Sequence, residues 1–125
     1  NSIHHLAIIC SDYEVSKHFY TEILGLKILN EVYRADRNSH KLDLSVNGRY
    51  QIELFSFPDP PERVSGPEAR GLRHIAFEID DLTQSVSELN RRGVLTEEIR
   101  VDEFTGKKFV FFFDPDGLPI ELYES

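Results

Sequence analysis

The chain has one cysteine, few basic residues and no long apolar run, and each shortage narrows what it can be. A single cysteine, Cys10, among 125 residues excludes an internal disulfide and suits a reducing compartment. No apolar stretch approaches the ~20 residues needed to cross a bilayer. Nothing at the N-terminus resembles a basic and apolar signal peptide, so the expected location is the cytoplasm and no membrane partner is expected. Lys and Arg number 14 against 22 Asp and Glu, a net charge of −8. A phosphate backbone would have to be bound against that repulsion, which excludes nucleic acid as the expected partner. A Gly-rich phosphate loop and a G-x-S-x-G elbow are also missing, and no Ser-His-Asp triad has positional support.

What the chain does have is a repeat. HHLAIICSD (4–12) is echoed by RHIAFEID (73–80), and a shift of 69 pairs His5 with His74, Ala7 with Ala76, Asp12 with Asp81 and Ser16 with Ser85. After each aspartate, apolar residues recur three or four apart: Val15, Phe19, Ile23, then Leu82, Val86, Leu89. That spacing predicts two helices, each with one apolar face. Ser11 with Glu14 and Asp81 with Gln84 are the expected N-cap and N3 partners, and Gly25 and Gly93 the expected helix ends. YQIELFSF (50–57) answers LPIELYES (118–125), with Glu53 and Glu121 68 apart. LDLSV (42–46) and KKFVFFF (107–113) supply middle strands, and DPDG (114–117) a tight hairpin turn.

Each half therefore reads strand, helix, then two or three strands. The expected organisation is one domain, 1–125, made of module one (3–57), a linker (58–71) and module two (72–124). The linker holds four of the six prolines.

Side chains alternate across a strand. His5, Ala7 and Ile9 share one face, as do Gln51, Glu53 and Phe55, then His74, Ala76 and Glu78, then Glu121 and Tyr123. Leu6, Ile8, Cys10, Ile52, Leu54, Ile75, Phe77, Ile120 and Leu122 fall on the opposite, helix-packed face. His4 falls there too, and with His18 and His40 it is expected to be structural. Cys10 is read as a small buried apolar group, and the acidic residues near 97–103 as a solvated face. If the units pack with an approximate two-fold, His5, Glu53, His74 and Glu121 converge. Two imidazoles and two carboxylates are costly to gather unpaired, and a divalent cation offsets that cost.

HHLAIICSD, FYTEILGL (19–26), QIELF, GLRHIAFEIDDL (71–82) and DPDGLPIELYE (114–124) together resemble the vicinal oxygen chelate superfamily. That group includes glyoxalase I, methylmalonyl-CoA epimerase, the fosfomycin and bleomycin resistance proteins and the extradiol dioxygenases, and the pattern here resembles bacterial glyoxalase I. The resemblance implies an α+β fold of two tandem βαβββ modules, forming a cupped mixed sheet with helices on its outer face.

It also implies one divalent metal ion (Zn, Ni, Co, Mn or Fe, not distinguished) on His5, Glu53, His74 and Glu121. Glu121 or Glu53 would then be the catalytic base. Extradiol dioxygenases use two histidines and one carboxylate, so the fourth ligand position argues against them. The implied activity is that of a glyoxalase-like lyase or isomerase that chelates two substrate oxygens. The alternatives are a methylmalonyl-CoA-type epimerase and a non-catalytic binding or resistance protein. Bacterial glyoxalase I has an arginine on its first strand and an asparagine after the first ligand glutamate to hold glutathione. Ile9 and Phe57-Pro58 stand in those places, which leaves glutathione use open. Ile9, Phe55, Phe57 and Tyr123 suggest a partly apolar small-molecule substrate, with Arg49, Arg73, Lys107 and Lys108 as candidates for an acidic group. Small members of the group are usually homodimers, so the resemblance implies a homodimer here, with modules paired within or between chains.

Overall fold

The computed structural model describes residues 1–125, which divide into two compact units, Asn1–Glu62 and Arg63–Ser125. In the first, strand β1 (Leu6–Cys10) leads into helix α1 (Tyr13–His18), which continues as a π-helical turn over Phe19–Ile23. Strands β2 (Lys27–Arg34), β3 (Ser39–Val46) and β4 (Arg49–Ser56) follow. The second unit repeats the order with β5 (Ile75–Ile79), α2 (Leu82–Arg91), β6 (Arg100–Val101), β7 (Lys108–Phe113) and β8 (Pro119–Glu124). The fold is α+β, and each unit is a βαβββ module with a four-stranded mixed sheet, β1-β4-β3-β2 in one and β5-β8-β7-β6 in the other. Each half therefore has three strands after its helix. Of the proline-rich stretch between the modules, residues 63–71 belong to the second unit.

In both sheets the first and last strands run parallel side by side, a pairing that needs the helix as crossover. One face of each sheet is covered by that helix. Ile8, Cys10, Leu42, Leu44, Ile52 and Leu54 are buried there in the first unit. Ile75, Val110, Phe112, Ile120 and Leu122 are their counterparts in the second. Side-chain burial of this kind contributes about 1.5–3 kcal/mol per large aliphatic residue.

The helix starts follow the repeat more closely than expected. Asp81 accepts a hydrogen bond from the Gln84 amide at 3.0 Å, and Asp12 does the same for Val15 at 3.2 Å. Asp12, not Ser11, is thus the first N-cap. Its carboxylate sits three residues before the amide it caps, and its own carbonyl accepts the first helical bond from Ser16. The phase of α1 moves with it. Tyr13, Ser16 and Tyr20 face the core, while Val15, expected on the apolar face, is half exposed at 50%. In α2 the expected face holds, with Leu82 and Leu89 buried. The Leu82 amide also donates to the Glu124 carboxylate at 2.9 Å, which fastens the helix start to β8. Gly25 and Gly93, after the two helices, have φ of +75° and +86°.

The turn from β7 to β8 is organised by buried Asp114, whose side chain accepts from the amides of Asp116 and Leu118, both at 2.9 Å. β2 had no periodic signal because both of its faces are open, with Ile28, Leu29, Val32 and Tyr33 all exposed.

Asp12→Ala and Asp81→Ala are each expected to lower unfolding free energy by about 1 kcal/mol, with Asn retaining most of it. Phe112→Ala should cost about 3–5 kcal/mol. Urea titration of the purified variants measures all three, and a neutral Asp12→Ala would return the first cap to another residue.

Candidate functional site

The functional candidates come from one geometric device used twice. β1 lies parallel to β4 with Ala7 opposite Glu53, and β5 lies parallel to β8 with Ala76 opposite Glu121. His5 and His74 each stand two residues before that alanine, so parity places histidine and glutamate on the same, helix-free face. In the first unit His5 Nε2 is 3.5 Å from Glu53 Oε2, and in the second His74 Nε2 is 3.0 Å from Glu121 Oε2. Both carboxylates are largely sheltered, at 12% exposure. The structure thus brings the four expected residues together as two equivalent pairs. Neither unit gathers three donor side chains by itself.

The far ring nitrogens are also engaged. His5 Nδ1 lies 2.8 Å from Nδ1 of His4, so one ring donates and the other accepts. His4, expected as a structural histidine on the helix side, is exposed and braces His5 instead. His74 Nδ1 faces Arg73 Nη1 at 3.1 Å. A guanidinium can only donate, so this nitrogen accepts and the Nε2–H points to Glu121.

Residues 2–122 match the model of the Glyoxalase/Bleomycin resistance protein/Dioxygenase superfamily. The chain belongs to this superfamily. It is 63% identical to the uncharacterized protein YwkD of Bacillus subtilis, over 99% of this chain and 97% of that one. Identity to the uncharacterized protein YaeR of Escherichia coli is 60%, over 98% of this chain and 95% of that one. The crystal structure of a glyoxalase family protein from Enterococcus faecalis superposes with a TM-score of 0.90 at 49% identity, covering 98% of this chain and 97% of that one. Relatives named as enzymes are more distant. They include the metallothiol transferase FosB of Staphylococcus saprophyticus (32% identical, 98% of this chain and 76% of that one). Human methylmalonyl-CoA epimerase is 25% identical, over 98% of this chain and 73% of that one. Lactoylglutathione lyase of Schizosaccharomyces pombe is 26% identical, over 96% of this chain and 46% of that one.

The two modules of this superfamily member differ around their pairs. On β3, Asp43 lies opposite Glu53, and on β7 the matching residue opposite Glu121 is Phe111. Lys41 and Phe109 are likewise equivalent, opposite Phe55 and Tyr123.

Around Glu53 this gives a polar network. Tyr50 donates its hydroxyl to Glu53 and also lies 2.9 Å from Asp43, while Lys41 Nζ is 2.7 Å from Asp43 and 3.6 Å from Glu53. Burial, then the hydrogen bonds to Glu53 and Asp43, push the Tyr50 hydroxyl from 10.0 up to about 12. The bond to Asp43 raises the Lys41 ammonium, against the opposing pull of burial. Around Glu121 the wall is aromatic, with the Phe111 ring edge-on to His74 at 5.1 Å. Sequence reasoning missed Tyr50, Asp43 and Lys41. The signal was present in LDLSV, where Asp43 interrupts two leucines and so had to lie on the open face.

The expected substrate residues divide. Ile9 is 55% exposed on the open side of β1. Phe55 and Phe57 stack at 5.8 Å beneath the Arg34 guanidinium. Tyr123 stacks on Phe109 and donates to Asp102 at 3.0 Å. Asp102, read as part of a solvated face, is held below the usual carboxylate range, chiefly by the Phe104 amide. Arg49 follows the β3–β4 turn and Lys107 precedes β7; both are exposed and neither forms an ion pair. Lys108 opens β7, opposite Val101. Cys10 is 1% exposed, and its thiol donates to the Phe55 carbonyl.

Tyr50→Phe should cost about 1–3 kcal/mol by leaving the sheltered Glu53 short of a donor. The raised value also gives a sign. The stabilisation is fully present below about pH 10 and is lost as pH rises towards 12. Ultraviolet titration of tyrosinate should count one late-ionising group fewer in Tyr50→Phe, with Tyr13, also pushed up by burial, ionising late in both proteins.

Proposed function

We propose that the chain is a divalent-metal-dependent lyase or isomerase of the glyoxalase type, with His5, Glu53, His74 and Glu121 holding one ion. One observation carries this: the same histidine, alanine and cross-strand glutamate arrangement occurs in both modules, ring nitrogen facing carboxylate each time. The donor set fits such an ion. Two imidazole nitrogens and two carboxylates suit Zn, Ni, Co, Mn or Fe, and each pair lacks enough donors to serve one alone. One ion shared by both pairs requires that they meet, within one chain or across a homodimer. When bound, the ion supplies Lewis acidity to two oxygens of the substrate.

The chain's own groups divide the remaining work. Glu53 is spoken for by the Tyr50 hydroxyl, the Lys41 ammonium and His5, which suits a fixed ligand. Glu121 has the His74 ring as its hydrogen-bonding partner and stands beside Phe111, and it is the carboxylate freer to take a proton from carbon and return it. Phe111 lies opposite that carboxylate on β7, and the rings of Phe109 and Tyr123 continue the aromatic wall beside it. The distant relatives named as a lactoylglutathione lyase and a methylmalonyl-CoA epimerase support a lyase or isomerase reading here. An epimerase acting beside a thioester is the second reading, favoured by Ile9, which leaves an exposed apolar side chain on the open face.

Protein purified without chelator should carry about one divalent ion per chain. His74→Ala and Glu53→Gln should each weaken metal binding at least about 100-fold with the fold retained. Glu121→Gln should lower kcat by about 10²–10⁴. Turnover of the methylglyoxal–glutathione hemithioacetal and of a chiral acyl-CoA, with Ni, Co or Zn restored, separates lyase from epimerase. Failure to retain any stoichiometric ion would remove the metal reading altogether.

A further inference from the structure

A pocket of about 220 Å³ opens in the second unit between the segment 63–73 and the ends of β6, β7 and β8. Its lining includes three guanidinium groups, Arg63, Arg73 and Arg100, against two carboxylates, Glu68 and Glu97. It is therefore net positive in a chain of net charge −8. Two of the arginines are occupied. Arg63 donates to the carbonyls of Leu72 and Arg73 and to the Ser65 hydroxyl, and Ser65 in turn donates to the Gly117 carbonyl, so these bonds fasten the segment that forms one wall. Arg73 makes two hydrogen bonds to Glu68.

Arg100 is different. Its guanidinium lies over the rings of Phe109 and Phe111, 5.0 and 5.6 Å from their centroids, and its one ion pair, to Glu97, is long at 3.7 Å. A guanidinium held over aromatic rings and paired only at long range keeps donors of its planar fork available to a carboxylate. Beside it, Phe111, Phe113 and Pro119 give an apolar wall.

We propose that this pocket binds the carboxylate end of a small organic acid, with Arg100 gripping the anionic group and Phe111 and Phe113 covering an apolar body. The pocket adjoins the second histidine–glutamate pair. Arg73 touches His74, and Phe111 contacts the His74 ring and sits opposite Glu121. That the acid is the substrate rests on the proposed metal function; that the pocket binds it does not.

Benzoate, a carboxylate with an apolar body, is the probe. Its titration at constant ionic strength is followed through the arginine Nε–H resonances of the whole chain, metal-free and then with Zn restored. Saturable shifts of Arg100 are expected in both states. Arg100→Gln should weaken binding by at least about tenfold, and Arg37→Gln, which removes an equal charge from an exposed turn of the first unit, should leave it unchanged. Shifts that do not saturate, or equal losses in the two variants, overturn the proposal by reducing the effect to general charge. Saturable binding in a protein that holds no metal would sink the metal function and leave the pocket standing. Metal uptake without benzoate binding would do the reverse.

Discussion

The metal chemistry proposed for this chain depends on the register of two parallel strand pairs. β1 against β4, and β5 against β8, each place an alanine opposite a glutamate and a histidine two residues upstream on the same face. Side-chain alternation has a period of two, so a slip of one residue in either pair would turn its glutamate into the helix layer and bring an aliphatic side chain out. The slip is resisted by burial. Ile8 and Cys10 on β1, with Ile52 and Leu54 on β4, hold the first register, and Ile75 with Ile120 and Leu122 holds the second. The hydrophobic core thus fixes the polar chemistry on the other side of the sheet without touching it.

On that shared frame the modules have diverged in dielectric character. Lys41, Asp43 and Tyr50 surround Glu53 with donors and charge, whereas Phe109 and Phe111 occupy the matching places near Glu121. A buried network of this kind is stable only when its members are satisfied together. Asp43, 6% exposed, is satisfied by Lys41 and Tyr50. An aromatic wall makes no such demand, and it leaves its carboxylate fewer partners to give up when a proton moves.

Much of this was legible in the sequence, for a physical reason. Burial on one face forces a period of two, so the positions of His5, Glu53, His74 and Glu121 followed from the aliphatic residues between them, and Asp81 and Gly93 marked a helix in the usual way. Three features were hidden. β2 is exposed on both faces and carries no period. The α1 face was misread at its start, because Ser16, a polar residue, is fully buried while Val15 is not, although Phe19 is buried as expected. The place of Tyr50 beside Asp43 was hidden by a β-bulge between Leu44 and Ser45, which shifts the register by one, although Asp43 itself was legible between its leucines.

The difference between Lys41–Asp43 and Phe109–Phe111 also bears on why two modules share one chain. In an assembly of identical single modules, symmetry copies every substitution to each equivalent place, so a residue helpful beside one glutamate is imposed on the other as well. Joining the copies breaks that obligation. Each glutamate can then acquire its own surroundings, one substitution at a time, and two carboxylates of common origin are free to take on different duties.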